Sequence, residues 1–151
     1  MGSDELLVSS GYGVGSTLPK VQSESSGRLV AGLLWKTSQL KSKFANMVVR
    51  NGFVYGLDDG ILACLDLEDG KRQWKGGRYG HGQLILVEDL PLVQAESGEV
   101  VLVEATPEAH RELGRFQAIE GKTWNHPALC GRYLLVRNSQ EAACYEMGLE
   151  E

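Results

Sequence analysis

Apolar residues fall in short runs along most of the chain. Val54-Tyr55-Gly56-Leu57 and Ile61-Leu62-Ala63-Cys64-Leu65 flank Asp58-Asp59-Gly60, and Leu92-Val93-Gln94-Ala95 and Val100-Val101-Leu102-Val103 flank Glu96-Ser97-Gly98. Glycine or Asn-Gly turns punctuate these runs every 6 to 10 residues. Runs this short, rich in Val, Leu, Ile and Tyr and bounded by turn residues, predict strands. Only Thr106 to Leu113 could hold a helical turn.

The pattern repeats. Gly60-Ile61-Leu62-Ala63-Cys64-Leu65-Asp66 aligns with Gly98-Glu99-Val100-Val101-Leu102-Val103-Glu104 and with Gln140-Glu141-Ala142-Ala143-Cys144-Tyr145-Glu146, at offsets of 38 and 42 residues. The preceding strands Val54 to Leu57, Leu92 to Ala95 and Leu134 to Arg137 align as well. An aromatic closes each unit at Trp35, Trp74 and Phe116, spaced 39 and 42. A period of about 40 residues made of short strands is the mark of a β-propeller blade.

The expected fold is therefore all-β, with about four blades of four-stranded antiparallel sheet at 5-37, 44-75, 84-117 and 124-147. About fourteen strands are expected within a 5-147 propeller segment. The first blade lacks its innermost strand and the last lacks its outermost. Residues 1-4 read as a disordered expression start and 148-151 as a tail. An open set of blades exposes strand edges and apolar faces, so association is expected. Two copies would make a ring of about eight blades, most simply a homodimer. A single chain closing on itself would instead need tighter curvature.

The run Cys64-Leu65-Asp66-Leu67-Glu68-Asp69-Gly70-Lys71-Arg72-Gln73-Trp74 resembles the pyrroloquinoline-quinone-type propeller repeat, also called the tryptophan-docking repeat. Cys64 stands where that pattern has a small Ala, and Asp69 where it has Thr. Leu33-Leu34-Trp35-Lys36 keeps the tryptophan end alone, and Phe116 replaces the third Trp. The resemblance covers most of residues 5 to 147, and the chain looks like the C-terminal half of such a propeller. It implies that the motif residues pack blade on blade, with the indole filling the gap and its N–H reaching a backbone acceptor. Cys64 and Cys144 then act as small apolar fillers. It also implies a periplasmic or other extracytoplasmic location.

Composition narrows the partners. The 151 residues are 42% hydrophobic with a net charge of −5, which argues against nucleic acid, whose phosphates require a basic face. No apolar run approaches the roughly 18 residues of a membrane span. The three cysteines form no Cys-x-x-Cys pair, so neither a disulfide framework nor a zinc site is indicated.

Strand direction sorts the loops into two faces. One collects Asp58, Asp59, Tyr79, His81, Gln83, Glu96, Trp124, Asn125, His126, Arg137 and Asn138. The loops Arg78-Tyr79-Gly80-His81-Gly82-Gln83 and Thr123-Trp124-Asn125-His126-Pro127 each enter an inner strand, which points them at the mouth of a central channel. The candidate binding residues are His81, Gln83, Trp124, Asn125, His126 and Arg137. These groups form a polar pocket for a small molecule or metal, or they satisfy loop backbone groups with Trp124 as core. Two histidines without fixed spacing are a weak metal signal, so no metal site is assigned. Asp58 and Asp59 have the position of an ordinary turn, and His110 reads as surface.

Three functions are consistent with the sequence. The first is a non-catalytic binding or scaffold propeller with a protein or small-molecule partner, as in the outer-membrane assembly lipoproteins of the resembled family. The second is part of a quinoprotein dehydrogenase, which would bring pyrroloquinoline quinone and calcium. The third is a truncated or engineered segment with no activity of its own. The adjacent cysteines that many quinoproteins carry do not occur, and no nucleophile elbow or zinc-protease motif is present. The expectation is no enzyme and no cofactor.

Overall fold

The structure, a computed structural model, describes residue 2 and residues 4–148. Of the expected start and tail, residues 1, 3 and 149–151 lie outside the described residues. Fourteen strands form four antiparallel sheets in chain order. Blade 1 is β1 (Val8–Ser10), β2 (Gly15–Ser23) and β3 (Leu29–Thr37). Blade 2 is β4 (Met47–Arg50), β5 (Phe53–Asp58), β6 (Ile61–Asp66) and β7 (Arg72–Arg78). Blade 3 is β8 (Gln83–Val87), β9 (Leu90–Gln94), β10 (Glu99–Val103) and β11 (Glu112–Gln117). Blade 4 is β12 (Ala128–Cys130), β13 (Tyr133–Arg137) and β14 (Ala142–Glu146). Within each blade every strand pairs with the next in sequence. No helix occurs among the described residues; of Thr106 to Leu113, the stretch that could hold a helical turn, 106–111 is an irregular connection and Glu112 and Leu113 begin β11.

Local chemistry sets the turns. Asn51-Gly52 joins β4 to β5 with φ of 50° and 81°, and Asp59-Gly60 joins β5 to β6 with 50° and 84°. Both residues of a type I′ hairpin need positive φ, which Asn, Asp and Gly tolerate best.

Alternation along each strand puts apolar side chains on both faces of the inner blades, and three cores result. Leu18 and Leu40 meet Val54, Ala63, Leu65 and Leu67 between blades 1 and 2. Tyr55, Leu57, Leu62 and Cys64 meet Leu84, Val93, Val101 and Val103 between blades 2 and 3. Leu92, Val100, Ala118 and Ile119 meet Leu134 and Val136 between blades 3 and 4. Each fully buried aliphatic side chain contributes about 1.5–3 kcal/mol.

The aromatic at the end of each blade crosses to the next. Trp35 Nε1 donates to the Leu67 carbonyl (2.8 Å), and Trp74 Nε1 donates to the Thr106 carbonyl (2.7 Å). The Trp35 ring lies against Gly70, where a Cβ would sit 2.8 Å from the indole. The Asp-Gly-Lys turn therefore needs glycine twice, for its φ of 71° and for the neighbouring ring. At the third junction Phe116 has no donor. It meets Tyr145 edge-on at 5.1 Å, and the Tyr145 hydroxyl donates back to the Ala118 carbonyl.

Two expectations require correction. Cys64 is fully buried, and burial pushes its thiol up to about 12. Cys144 holds the same register position in blade 4 but is exposed, because no described blade follows to cover it. His110 is not plain surface. The 104–111 connection folds it back against Trp74 (5.7 Å between rings) and Tyr79, whose hydroxyl lies 2.8 Å from His110 Nε2 and donates to Glu112 at 2.6 Å.

The indole junction predicts a graded loss of stability. Trp74→Ala should cost about 3–5 kcal/mol in urea unfolding, whereas Trp74→Phe, which loses chiefly the Thr106 bond, should cost nearer 1 kcal/mol. Equal losses would show that packing of the ring does not hold blades 2 and 3 together.

Candidate functional site

The loops that enter β4, β8 and β12 lie side by side on one face. Gln83, 6% exposed, ties them together. Its Nε2 donates to the carbonyls of Phe44 (3.1 Å) and Trp124 (3.2 Å), and its Oε1 accepts from the Asn46 N–H (3.2 Å). Asn46 in turn exchanges two hydrogen bonds with the Leu84 backbone, fixing β4 against β8. One buried amide thus holds the backbone of three blades.

Above this hub sits an aromatic group. Phe44 meets His81 at 5.6 Å and Trp124 at 5.3 Å between ring centroids. Phe44 is 50% exposed and Trp124 45%, so Trp124 is not the core residue that one reading of the sequence allowed. Gly80 explains the glycines around His81. With φ at 64°, it lets the Glu96 carboxylate approach where a Cβ would overlap it. Glu96 then accepts the His81 N–H at 2.9 Å, and that bond, helped by the Trp124 side chain, holds its carboxyl below the usual range.

Cations surround the rings. Lys43 Nζ lies 3.4 Å from His81 Nε2 and 5.5 Å from the centre of the Tyr12 ring. Lys122 Nζ stands 4.6 Å over the Trp124 ring, within cation–π range. Arg137 faces Asn125, whose amide oxygen, placed by its hydrogen-bond network, accepts from the guanidinium at 3.1 and 3.3 Å. Among the described residues Lys43, Lys122 and Arg137 form no salt bridge, whereas most other cations do.

Of the candidate residues, the structure brings together His81, Gln83 and Trp124, with Asn125 and Arg137 as a neighbouring pair. His126 stands apart, with an exposed ring whose Nδ1 contacts only the Pro127 carbonyl (3.1 Å). Tyr79 is buried in the core between blades 2 and 3, with its hydroxyl bonded to Glu112 and close to His110. Asn138 caps its own turn, accepting from Gln140 and Glu141 and donating to the Glu120 carbonyl (2.7 Å). Sequence reasoning missed Phe44, Lys43, Asn46 and Lys122. The blade period was the available signal, because Phe44, His81 and Trp124 are 37 and 43 residues apart. No group of three or more metal-ligating side chains occurs among the described residues.

Asp58 is not an ordinary turn residue. It is fully buried, and its carboxylate takes Lys41 Nζ (3.0 Å), Lys75 Nζ (2.6 Å) and the Lys41 N–H (3.0 Å). Burial alone would push this carboxyl up. The Lys75 and Lys41 ammonium groups outweigh it, leaving Asp58 below its ordinary value and Lys41 above. With both oxygens engaged, Asp58 joins blade 2 to the segment leading from blade 1.

No family model matches the chain, and no curated protein matches it. Solved structures do. BamB from Moraxella catarrhalis superposes with a TM-score of 0.65 at 13% identity, over 97% of this chain and 52% of that one. The computationally designed protein Ika8 superposes with a TM-score of 0.54 at 8% identity, over 97% and 57%. The chain spans about half the length of each. At these identities the likeness is one of fold: four blades of a β-propeller.

The Asp58 cluster gives a test in pH. A carboxyl lowered in the folded state contributes stability above its unfolded value near 3.9, and that contribution is lost as pH falls through the folded value. Asp58→Asn should lose about 3 kcal/mol at pH 7, the low end for a broken buried pair, because both lysines can reach water. The gap between wild type and variant should narrow below about pH 4. A gap that is constant down to pH 2 would show that the ion pairs contribute nothing.

Proposed function

We propose that the chain is a non-catalytic binding and scaffolding segment of a β-propeller. It is an open arc of blades that completes a ring by association and offers its Phe44–Trp124 face to a partner. The observation that carries this reading is the combination at that face. Two large rings stand half-exposed, yet a buried glutamine anchors their backbone. Rigid aromatic groups held at a surface bind with little loss of side-chain freedom. Lys43 and Lys122 beside the rings, and Arg137 at the neighbouring Asn125, form no salt bridge among the described residues and favour an anionic partner. An acidic, aromatic polypeptide segment fits better than nucleic acid, because three cations within a chain of net charge −5 do not make a phosphate track.

A quinone–calcium site finds less support. Asp58, the buried acid of this face, is already bound to two ammonium groups, and the Glu96 carboxylate accepts the His81 N–H. The extracytoplasmic location implied by the sequence resemblance is kept as part of the proposal. No helix among the described residues is long and apolar enough to cross a membrane.

A capped peptide alternating Asp or Glu with Trp, and its lysine counterpart, test the reading by calorimetry. The acidic peptide should bind, and Trp124→Ala or Lys122→Glu should weaken it at least about 10-fold, as expected of a central aromatic anchor. Equal binding of the basic peptide, or indifference to both substitutions, would reject this face as the site. Binding of pyrroloquinoline quinone in the presence of calcium would move the chain to the enzyme class.

A further inference from the structure

We propose that the partner which completes the ring is a second copy of this chain, joined head to tail, with the outer face of blade 4 seated on the outer face of blade 1 of the other copy at two equivalent joints. This rests on the reading of the chain as an open arc.

The argument starts from register. In blade 2, Tyr55 pairs with Cys64, and both are fully buried beneath blade 3. In blade 4 the matching pair is Leu135 and Cys144, in a row that continues to Ala128. Leu135 is 49% exposed and Cys144 is exposed. The next row holds Cys130, Tyr133 and Glu146, all exposed, so the charge sits at its outer edge. The opposite face of the same strands, Leu134 and Val136, is buried on blade 3. A sheet built to face water alternates apolar with polar residues. Blade 4 is largely apolar on both sides, as an interior blade is.

Blade 1 mirrors this. Leu18 is buried against blade 2. The other side of β2 carries Thr17 and Pro19, paired with Val8 and Leu33, and the latter two are 46% and 61% exposed. Leu29, near the end of that sheet, is exposed as well. Each end of the arc therefore presents an interior blade face without a neighbour among the described residues.

Two features select a second copy as the occupant. The arc overlays about half of BamB and of Ika8, so it turns through about half of a propeller and two arcs fill one. A head-to-tail contact that closes after two copies gives a finite two-fold dimer and no filament. Finally, the joint continues the blade-to-blade packing that already repeats three times within the chain.

The cysteines report on the joint. Cys130 and Cys144 lie on the blade 4 face that would be covered, while Cys64 is buried within the chain and serves as the internal control. Light scattering should give twice the 16.5 kDa of one chain. A disulfide reagent should then find Cys130 and Cys144 slowed roughly 100-fold or more relative to the dissociated protein, since only opened joints react. Leu135→Arg, a change at an already exposed position, should produce a monomer in which these two thiols react fast and Cys64 does not. Leu33→Arg, on the other face, should do the same.

A monomer with two fast thiols would overturn the second copy while leaving the open arc intact, with a different half-ring as its partner. A monomer with all three thiols slow would overturn the open arc itself, because blade 4 would then be covered by blade 1 of its own chain. Masses that climb with concentration beyond the dimer would overturn closure.

Discussion

The contact on which the architecture depends is an indole crossing from one blade to the next. Trp35 and Trp74 each place a flat ring into the gap between two twisted sheets and pass one N–H to a carbonyl of the following blade. Those carbonyls, Leu67 and Thr106, lie in the connection between the third and fourth strands, so the bond fixes each outer strand to the turn beside it. Without it, two apolar sheets could slide, since hydrophobic contact has no direction of its own. The hydrogen bond supplies the direction and the ring supplies the area. The third junction reverses the donor: Phe116 keeps the ring, and the Tyr145 hydroxyl of the later blade provides the bond.

That logic explains which parts of the fold could be read from the sequence. Strand runs, the 40-residue period and the Asp-Gly-Lys turn all reflect backbone and packing demands that recur in every blade, so each copy supports the others. The missing innermost strand of blade 1 and outermost strand of blade 4 were legible for the same reason. Residues that act once are harder to read. Asp58 looks like any acid of an Asp-Asp-Gly turn, and only the folded chain brings Lys41 and Lys75 to it from 17 residues away on either side. His110 sits in a polar stretch, and nothing local shows that the connection turns back onto Trp74.

The candidate site divides in the same way. The loops around His81 and Trp124 stand out by composition, and the structure does place those two residues near one another. Phe44, which bridges them, lies in a segment with no unusual composition, and the cations belong to it through three-dimensional position alone. Gln83 was legible as a member of its loop, but its structural role was not: its amide ties that loop to the two that enter β4 and β12.

The two end blades have a property that the inner ones lack: each is held by a single neighbour. In an array where stability is shared between adjacent units, such units have the lowest opening free energy and fray first. Blades 1 and 4 therefore set the fast-exchanging limit of the chain, and blades 2 and 3 the slow one. Any event that supplies their second neighbour also raises the folding cooperativity of the whole arc. Under the proposed association, ring completion would be a step in folding as much as in assembly.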